Sequence, residues 1–155
     1  MIKLKRILVP TDFSAYSEEA MTYACAFAEQ FDAELHVVHV LQDLVGVVPD
    51  PGVAFPPPGD YMGELKASAD KALQQIPAPD WADKHTVVRE TRQGPPFLEI
   101  VRYAKELDID LIVLGTHGRG GLAHVLLGSV AERVVRKAPC PVLTVRPGEH
   151  EFVMP

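Results

Sequence analysis

Residues 111–129, Leu-Ile-Val-Leu-Gly-Thr-His-Gly-Arg-Gly-Gly-Leu-Ala-His-Val-Leu-Leu-Gly-Ser, constrain the fold more than any other stretch of the chain. An apolar, β-branched run from Leu111 to Leu114 stops at a glycine. A loop with Gly115, Gly118, Gly120 and Gly121 follows, and Gly128-Ser129 opens a helical pattern carried by Val130, Val134 and Val135. Glu132 falls in the first turn of that helix and Arg133, Arg136 and Lys137 towards its end, the order a helix dipole favours. Strand, glycine loop and helix start make an anion cradle. Glycine lets backbone N–H groups approach a ligand closely. Successive N–H groups form a concavity, and a helix N-terminus adds unpaired donors. Ser129 suits the N-cap. The plainer alternative is a tight connection whose glycines serve only the turn.

The kind of cradle is narrowed by spacing. No Gly-Lys-Ser or Gly-Lys-Thr occurs, so the P-loop pattern is absent. Gly118-x-Gly120-x-x-Ala123 matches the dinucleotide fingerprint formally. It follows a late strand, however, and the stretch from Ala138 to Leu143 lacks the ribose-binding acid that fingerprint requires. Gly115-x-x-Gly118, nine residues, then Gly128-Ser129 resembles the G-2x-G-9x-G-[ST] signature of the universal stress protein (UspA-like) family, in its ATP-binding branch. The flanks agree: Arg-Ile-Leu-Val-Pro-Thr-Asp at 6–12 is similar to that family's first strand and acidic turn. Ala138-Pro-Cys-Pro-Val142 is similar to its entry into the last strand.

At 155 residues the chain suits one domain, read as residues 1–147 with a tail at 148–155. The net charge of −6 argues against non-specific nucleic-acid binding, which rests on neutralising phosphates. It leaves room for a local basic site, and Arg119, Arg133, Arg136 and Lys137 gather near the glycine loop. Two cysteines, Cys25 and Cys140, without Cys-x-x-Cys, suggest neither a disulfide framework nor a metal cluster. Cys25 falls on an apolar helical face and reads as core. The apolar run at the N-terminus is too short for a signal peptide, and no run is long enough to span a bilayer. A cytoplasmic location away from membranes is the expectation.

In chain order, Arg6–Pro10 reads as a continuous, doubly buried first strand. Met21, Ala24, Cys25, Ala28 and Phe31 lie on one helical face behind a cap at Ser14 or Ser17. The second strand is 34–40, with His36 and His39 expected near its exposed end. Residues 42–61 carry Pro49, Pro51, Pro56, Pro57 and Pro58 and form an irregular insertion. A helix over 61–75 follows, then a loop holding Asp80-Trp81, a short strand over 85–90 and a turn at 93–96. A helix over 96–106, a strand over 109–114, a helix over 129–137 and a strand over 142–145 complete the pattern. The tail shows no period and is expected to be mobile. Five strands alternating with four helices predict an α/β fold, a single doubly wound parallel sheet with helices on both faces. Ligands of such sheets bind at the carboxyl ends of strands, where strand order reverses.

The resemblance implies more. It implies the adenine nucleotide alpha hydrolase-like fold with strand order 3-2-1-4-5, which brings strands one and four side by side and Asp12 opposite the glycine loop. It implies an ATP site in which Asp12, after Pro10 and Thr11, takes a ribose hydroxyl or the adenine amino group. Val40 would offer backbone groups to the adenine edge. Gly115, Thr116, His117, Gly118, Gly128, Ser129 and Val130 would hold ribose and phosphates, mainly by main-chain N–H, with Arg119 adding charge. Asp12 read alone is more often a turn residue bonding its own backbone. Asp12 and Ser129 are the candidate Mg²⁺ contacts. Further implications are a homodimer through Val142 to Val145, an edge without a guarding lysine, and a downstream protein partner.

His117 and His124 lack the further ligands zinc requires. No nucleophile stands with a base and an orienting acid. Phosphoryl transfer also wants a positioned cation. The expectation is therefore ATP binding with at most slow hydrolysis. The alternatives are a nucleotide-free homodimeric interaction protein of the same fold, or an ATP-using nucleotidyl-transfer enzyme whose second substrate pocket would have to come from the insertion.

Overall fold

The computed structural model describes residues 1–42, 60–117, 127–146 and 148. Most of the insertion, most of the glycine loop (Gly118, Arg119 and His124 included) and most of the tail lie outside the described residues.

The described chain runs β1 (Arg6–Pro10), α1 (Ala15–Phe31), β2 (Glu34–Leu41), α2 (Tyr61–Leu73), α3 (Pro79–Ala82), β3 (Val87–Gln93), α4 (Pro96–Glu106), β4 (Leu111–Gly115), α5 (Ser129–Lys137) and β5 (Val142–Val145). All strand pairs are parallel and the order is β3-β2-β1-β4-β5, as the family resemblance implied. The continuous apolar runs are explained by two cores, one on each face. Ile7, Val9, Leu35, Val37 and Val113 pack with Ala20, Met21, Ala24 and Ala28 of α1 and Leu73 of α2. Their alternates Leu8, Val38, Ile112 and Leu114 pack with Ile100, Tyr103 and Ala104 of α4 and Ala131 and Val134 of α5. A strand covered on both sides has no face left for polar alternation. Alanines at 20, 24 and 28 are fully buried and let α1 lie close over β1 and β4.

Four expectations are corrected. The third strand is 87–93 rather than 85–90, because β2 pairs with it along Leu35–Leu41. It is an edge strand whose Arg-Glu-Thr-Arg-Gln end hides its extended state behind polar residues. Asp80-Trp81 lies in the single helical turn α3, with Pro79 at its first position, and not in a loop. Helix α5 is preceded by Gly128 as N-cap, so Ser129 is its first helical residue. His36 is buried, at 4% exposure, in the middle of β2 rather than near an exposed end. Helix α1 is capped by Ser14, whose side chain accepts from Ser17 N.

Candidate functional site

The site begins where strands part. β1 pairs with β4 only at Ile7–Leu111 and Leu8–Ile112, although β1 continues to Pro10 and β4 to Gly115. On its other side β1 follows β2 as far as Pro10–Val38, closed by Thr11 N donating to the Val38 carbonyl at 2.8 Å. A crevice therefore opens at the carboxyl edge between β1 and β4, the position at which chain direction across the sheet reverses.

The turn on the β1 side is tightly held. Thr11 is buried and its Oγ1 accepts from Phe13 N at 3.0 Å while donating to Ser17 Oγ at 3.1 Å. Asp12 Oδ1 accepts from Ser14 N at 3.0 Å and lies 3.2 Å from the Ser17 hydroxyl. The turn role of Asp12 is thus present. It leaves the residue at the crevice with its carboxylate oriented. Phe13 sits in the left-handed region at φ 62°. For a bulky side chain that costs about 1–3 kcal/mol and persists only when neighbours over-determine it. The neighbours are visible: the Phe13 ring lies 4.6 Å from His39, centroid to centroid, and His39 Nδ1 donates to the Thr11 carbonyl at 2.8 Å. His39 is half-buried and pins the turn to β2.

On the β4 side, a Cβ at Gly115 would stand 2.7 Å from the backbone oxygen of Tyr16. The glycine is what lets the first turn of α1 approach β4. Thr116, also buried, donates its N–H to Val145 O at 2.9 Å and accepts at its carbonyl from Gly128 N at 2.6 Å. His117 follows, half-buried, with Nδ1 3.1 Å from Thr116 Oγ1 and its ring 5.4 Å from that of Tyr16. Tyr16 thereby joins the two halves of the site. A Cβ at Gly128 would come to 3.0 Å from Thr116 O and 3.3 Å from the His117 backbone. Gly115 is therefore demanded by the protein's own packing and Gly128 is closely fitted by it, reasons the sequence did not disclose.

The mouth of α5 is chemically distinct. Helices α1 and α2 have side-chain caps, from Ser14 and Asp60, whereas α3 and α4 have none but start with Pro79 and Pro96. Among the described residues, α5 has neither a side-chain cap hydrogen bond nor a proline in its first turn. Helix geometry leaves the N–H groups of its first turn, Ser129, Val130 and Ala131, without intrahelical acceptors. Together with the dipole they suit an anion. The basic residues contribute less than their spacing suggested. Arg136 pairs with Glu132 at 2.8 Å, and the Arg133 guanidinium lies over Phe97 at 5.2 Å.

Val40 completes the edge. Leu35 N bonds Thr86 and Leu41 O accepts from Gly94, so the odd-numbered residues of β2 turn their backbone groups to β3. Val38, which accepts from Thr11, and by alternation Val40, face β1. Because the β1 pairing ends at Val38, the N–H and C=O of Val40 point past the end of β1 into the opening. Pro10, Thr11, Asp12, Val40, Gly115, Thr116, His117, Gly128, Ser129 and Val130 thus gather at one edge of the sheet. Gly118 and Arg119 fall outside the described residues. Tyr16, Ser17 and His39 hold the site together and were not singled out for it. Their signal was only proximity to Asp12 in sequence or position on β2.

Among the described residues no group of three or more His, Cys, Asp or Glu is placed to hold a metal, and no helix is long and apolar enough to cross a membrane. Burial and Glu29 push the Cys25 thiol up to about 11, and burial with Asp110 raises Cys140.

A parallel sheet split between β1 and β4, with an uncapped helix mouth beside the split, defines a doubly wound α/β domain with a switch-point crevice. Comparison with known proteins makes the class specific. The family model described as the universal stress protein family matches residues 3–146. The chain belongs to that family. A universal stress protein of Methanocaldococcus jannaschii is 41% identical over 151 residues, covering 95% of this chain and 85% of that protein. The structure of universal stress protein UspA from Lactobacillus plantarum superposes with a TM-score of 0.76 at 30% identity, over 94% of this chain and 100% of that one. A universal stress protein from Archaeoglobus fulgidus, solved in complex with dAMP, superposes with a TM-score of 0.54 at 26% identity, over 93% and 98% of the two chains.

Proposed function

We propose that this universal stress protein binds an adenine nucleotide, ATP above all, in the β1/β4 crevice. It then acts as a nucleotide-dependent stress-response or signalling module. The observation that carries the reading is the mouth of α5, left without a side-chain cap at the end of the split. The related Archaeoglobus fulgidus protein, solved with dAMP, supports the base and the 5′-phosphate. In this reading the Val40 N–H and C=O meet the adenine edge, and Asp12 accepts from a ribose hydroxyl. The N–H groups of Ser129 and Val130 meet phosphate, with Gly115, Thr116 and His117 forming the floor, and Gly118 and Arg119 are the further residues assigned to the phosphates. Mg²⁺, where it accompanies ATP, has Asp12 and Ser129 as contacts. Hydrolysis is at most slow, since none of these roles is a general base for water. The protomer pairs with a second copy through the open edge of β5 and works in the cytoplasm.

The test is Ser129→Pro beside Ser129→Ala. Proline is favoured at the first helical position. Gly128, at φ −66° and ψ 157°, already has the extended backbone that precedes proline. The variant keeps the helix and deletes one donor. Losing a hydrogen bond to a charged group costs about 1.5–3 kcal/mol, so ATP affinity falls about 10- to 150-fold in calorimetry. Ser129→Ala, which retains the N–H and loses only the hydroxyl, binds nearly as the wild type when Mg²⁺ is absent. Equal affinity of Ser129→Pro and wild type refutes the phosphate position. No binding at millimolar ATP by the wild type refutes the nucleotide reading. One observation favours the nucleotide-free interaction protein in that event: the crowding at Gly115 and Gly128 needs no phosphate to explain it.

A further inference from the structure

His36 is the one ionisable side chain within the buried run of β2, and it lies away from the crevice, under α4. Its Nδ1 is 2.8 Å from the hydroxyl of Tyr103, which is itself fully buried. Its Nε2 is buried without a hydrogen-bond partner among the described residues, 3.5 Å from the half-exposed carboxylate of Glu34. That carboxylate favours the proton on Nε2. The Tyr103 O–H then donates to Nδ1, a tautomer assigned from the network. Burial, followed by Glu90, pushes the Tyr103 hydroxyl up to about 12, so it keeps its hydrogen throughout the neutral and acid range. Arg92 closes the far side, 4.9 Å from the Tyr103 ring centroid and bonded to Glu90 and Glu106.

We propose that the His36–Tyr103 hydrogen bond is an acid-sensitive latch: neutral His36 fastens α4 to β2, and protonation of its ring releases α4 from the sheet. Protonation adds a hydrogen to Nδ1, which then faces the Tyr103 hydroxyl as a donor. The hydroxyl has to turn and accept, and its own hydrogen loses its acceptor inside the core. An orphaned buried donor and a buried charge are both costly.

The surrounding charges compete. Burial is the largest influence and lowers the proton affinity of His36. Glu34 on β2 and Glu90 on β3 oppose it, and Arg6 on β1 reinforces it. The net effect lowers the ring below the ordinary histidine value, so in that window the unfolded chain binds more protons than the folded one. The contribution of neutral His36 is complete above the ordinary value. It is lost as pH falls towards the folded-state value. Each unit of lowering changes the folding equilibrium tenfold across the window.

The experiment compares amide hydrogen exchange at pH 7 and pH 5, corrected for intrinsic rates, in the wild type, His36→Gln and Tyr103→Phe. It is accompanied by a ¹³Cε1-histidine titration of the wild type. Amides of α4 in the wild type should lose protection at pH 5 relative to those of α1. His36→Gln can still bond Tyr103 but does not titrate, and it should abolish the difference. Tyr103→Phe should exchange at pH 7 much as the wild type does at pH 5. The His36 resonance should titrate below the ordinary histidine value. Unchanged α4 protection in the wild type overturns the latch, as does an equal loss in His36→Gln. A His36 that titrates at or above the ordinary value overturns it without any variant.

Discussion

Replacing Gly115 by alanine separates packing from ligand binding. A Cβ at this position meets three atoms of Tyr16 in α1, its backbone O at 2.7 Å, its carbonyl C at 2.8 Å and its Cβ at 2.9 Å. None is the free end of a flexible side chain. The first turn of α1 or the end of β4 has to move. Tyr16 also touches His117, and α1 is locked to the turn at Thr11 and Asp12 through Ser17, so the displacement is resisted on both sides. Overpacking of this kind costs about 1–3 kcal/mol, set against about 0.4–1 kcal/mol gained from a stiffer unfolded chain. The net expectation is a loss of about 1–2 kcal/mol. With a urea slope of about 2 kcal/mol/M, the unfolding midpoint falls by roughly 0.5–1 M. The assay is urea unfolding of the nucleotide-free protein, followed by near-ultraviolet circular dichroism and fluorescence. A midpoint equal to or above that of the wild type refutes the argument that Gly115 is required by the α1–β4 approach.

Three further outcomes follow from local geometry. Asp12→Asn keeps an oxygen for Ser14 N and the Ser17 hydroxyl, so stability changes by less than about 0.5 kcal/mol. ATP affinity falls about tenfold or more for loss of a charged acceptor, and equal affinities in calorimetry would count against Asp12 as a ribose ligand. Gly63→Ala in α2 should forfeit the gain of up to about 1 kcal/mol usual for a helix interior. The new Cβ runs into the Asp60 carboxylate, which caps Gly63 N at 2.9 Å; a full gain in thermal stability would show that the cap is dispensable. Cys25, with its thiol near 11, should react with a disulfide reagent at pH 8 about a hundredfold more slowly than an ordinary thiol, measured in a Cys140→Ser background. Reaction at the ordinary rate would mean that the α1 face opens readily.

Much of the fold was legible because doubly covered strands leave a plain trace. The runs at Ile7, Leu35 and Ile112 feed cores on both faces and so remain apolar without alternation. β3 left no such trace. It is an edge strand whose Arg92 pairs with both Glu90 and Glu106, a stabilisation composition cannot reveal. Strand order was not legible from periodicity at all and came from family resemblance. At the crevice, Asp12, Gly115 and Gly128 were readable as candidates, but the packing around the two glycines was not. Their crowding partners Tyr16 and Thr116 are brought near by the fold. His36 was misplaced for the same cause: Tyr103 lies 67 residues away, and a histidine amid valines gives no sign that a hydroxyl waits opposite it.

Thr116 has a consequence for how freely this molecule can vary. Its N–H is tied to Val145 at the end of β5 and its carbonyl to Gly128 at the mouth of α5. The mouth of α5 is thus spliced to the end of β5 through one buried residue. A substitution that shifts Val145 is passed on to the first turn of α5, so Thr116, the end of β5 and the start of α5 can vary only together.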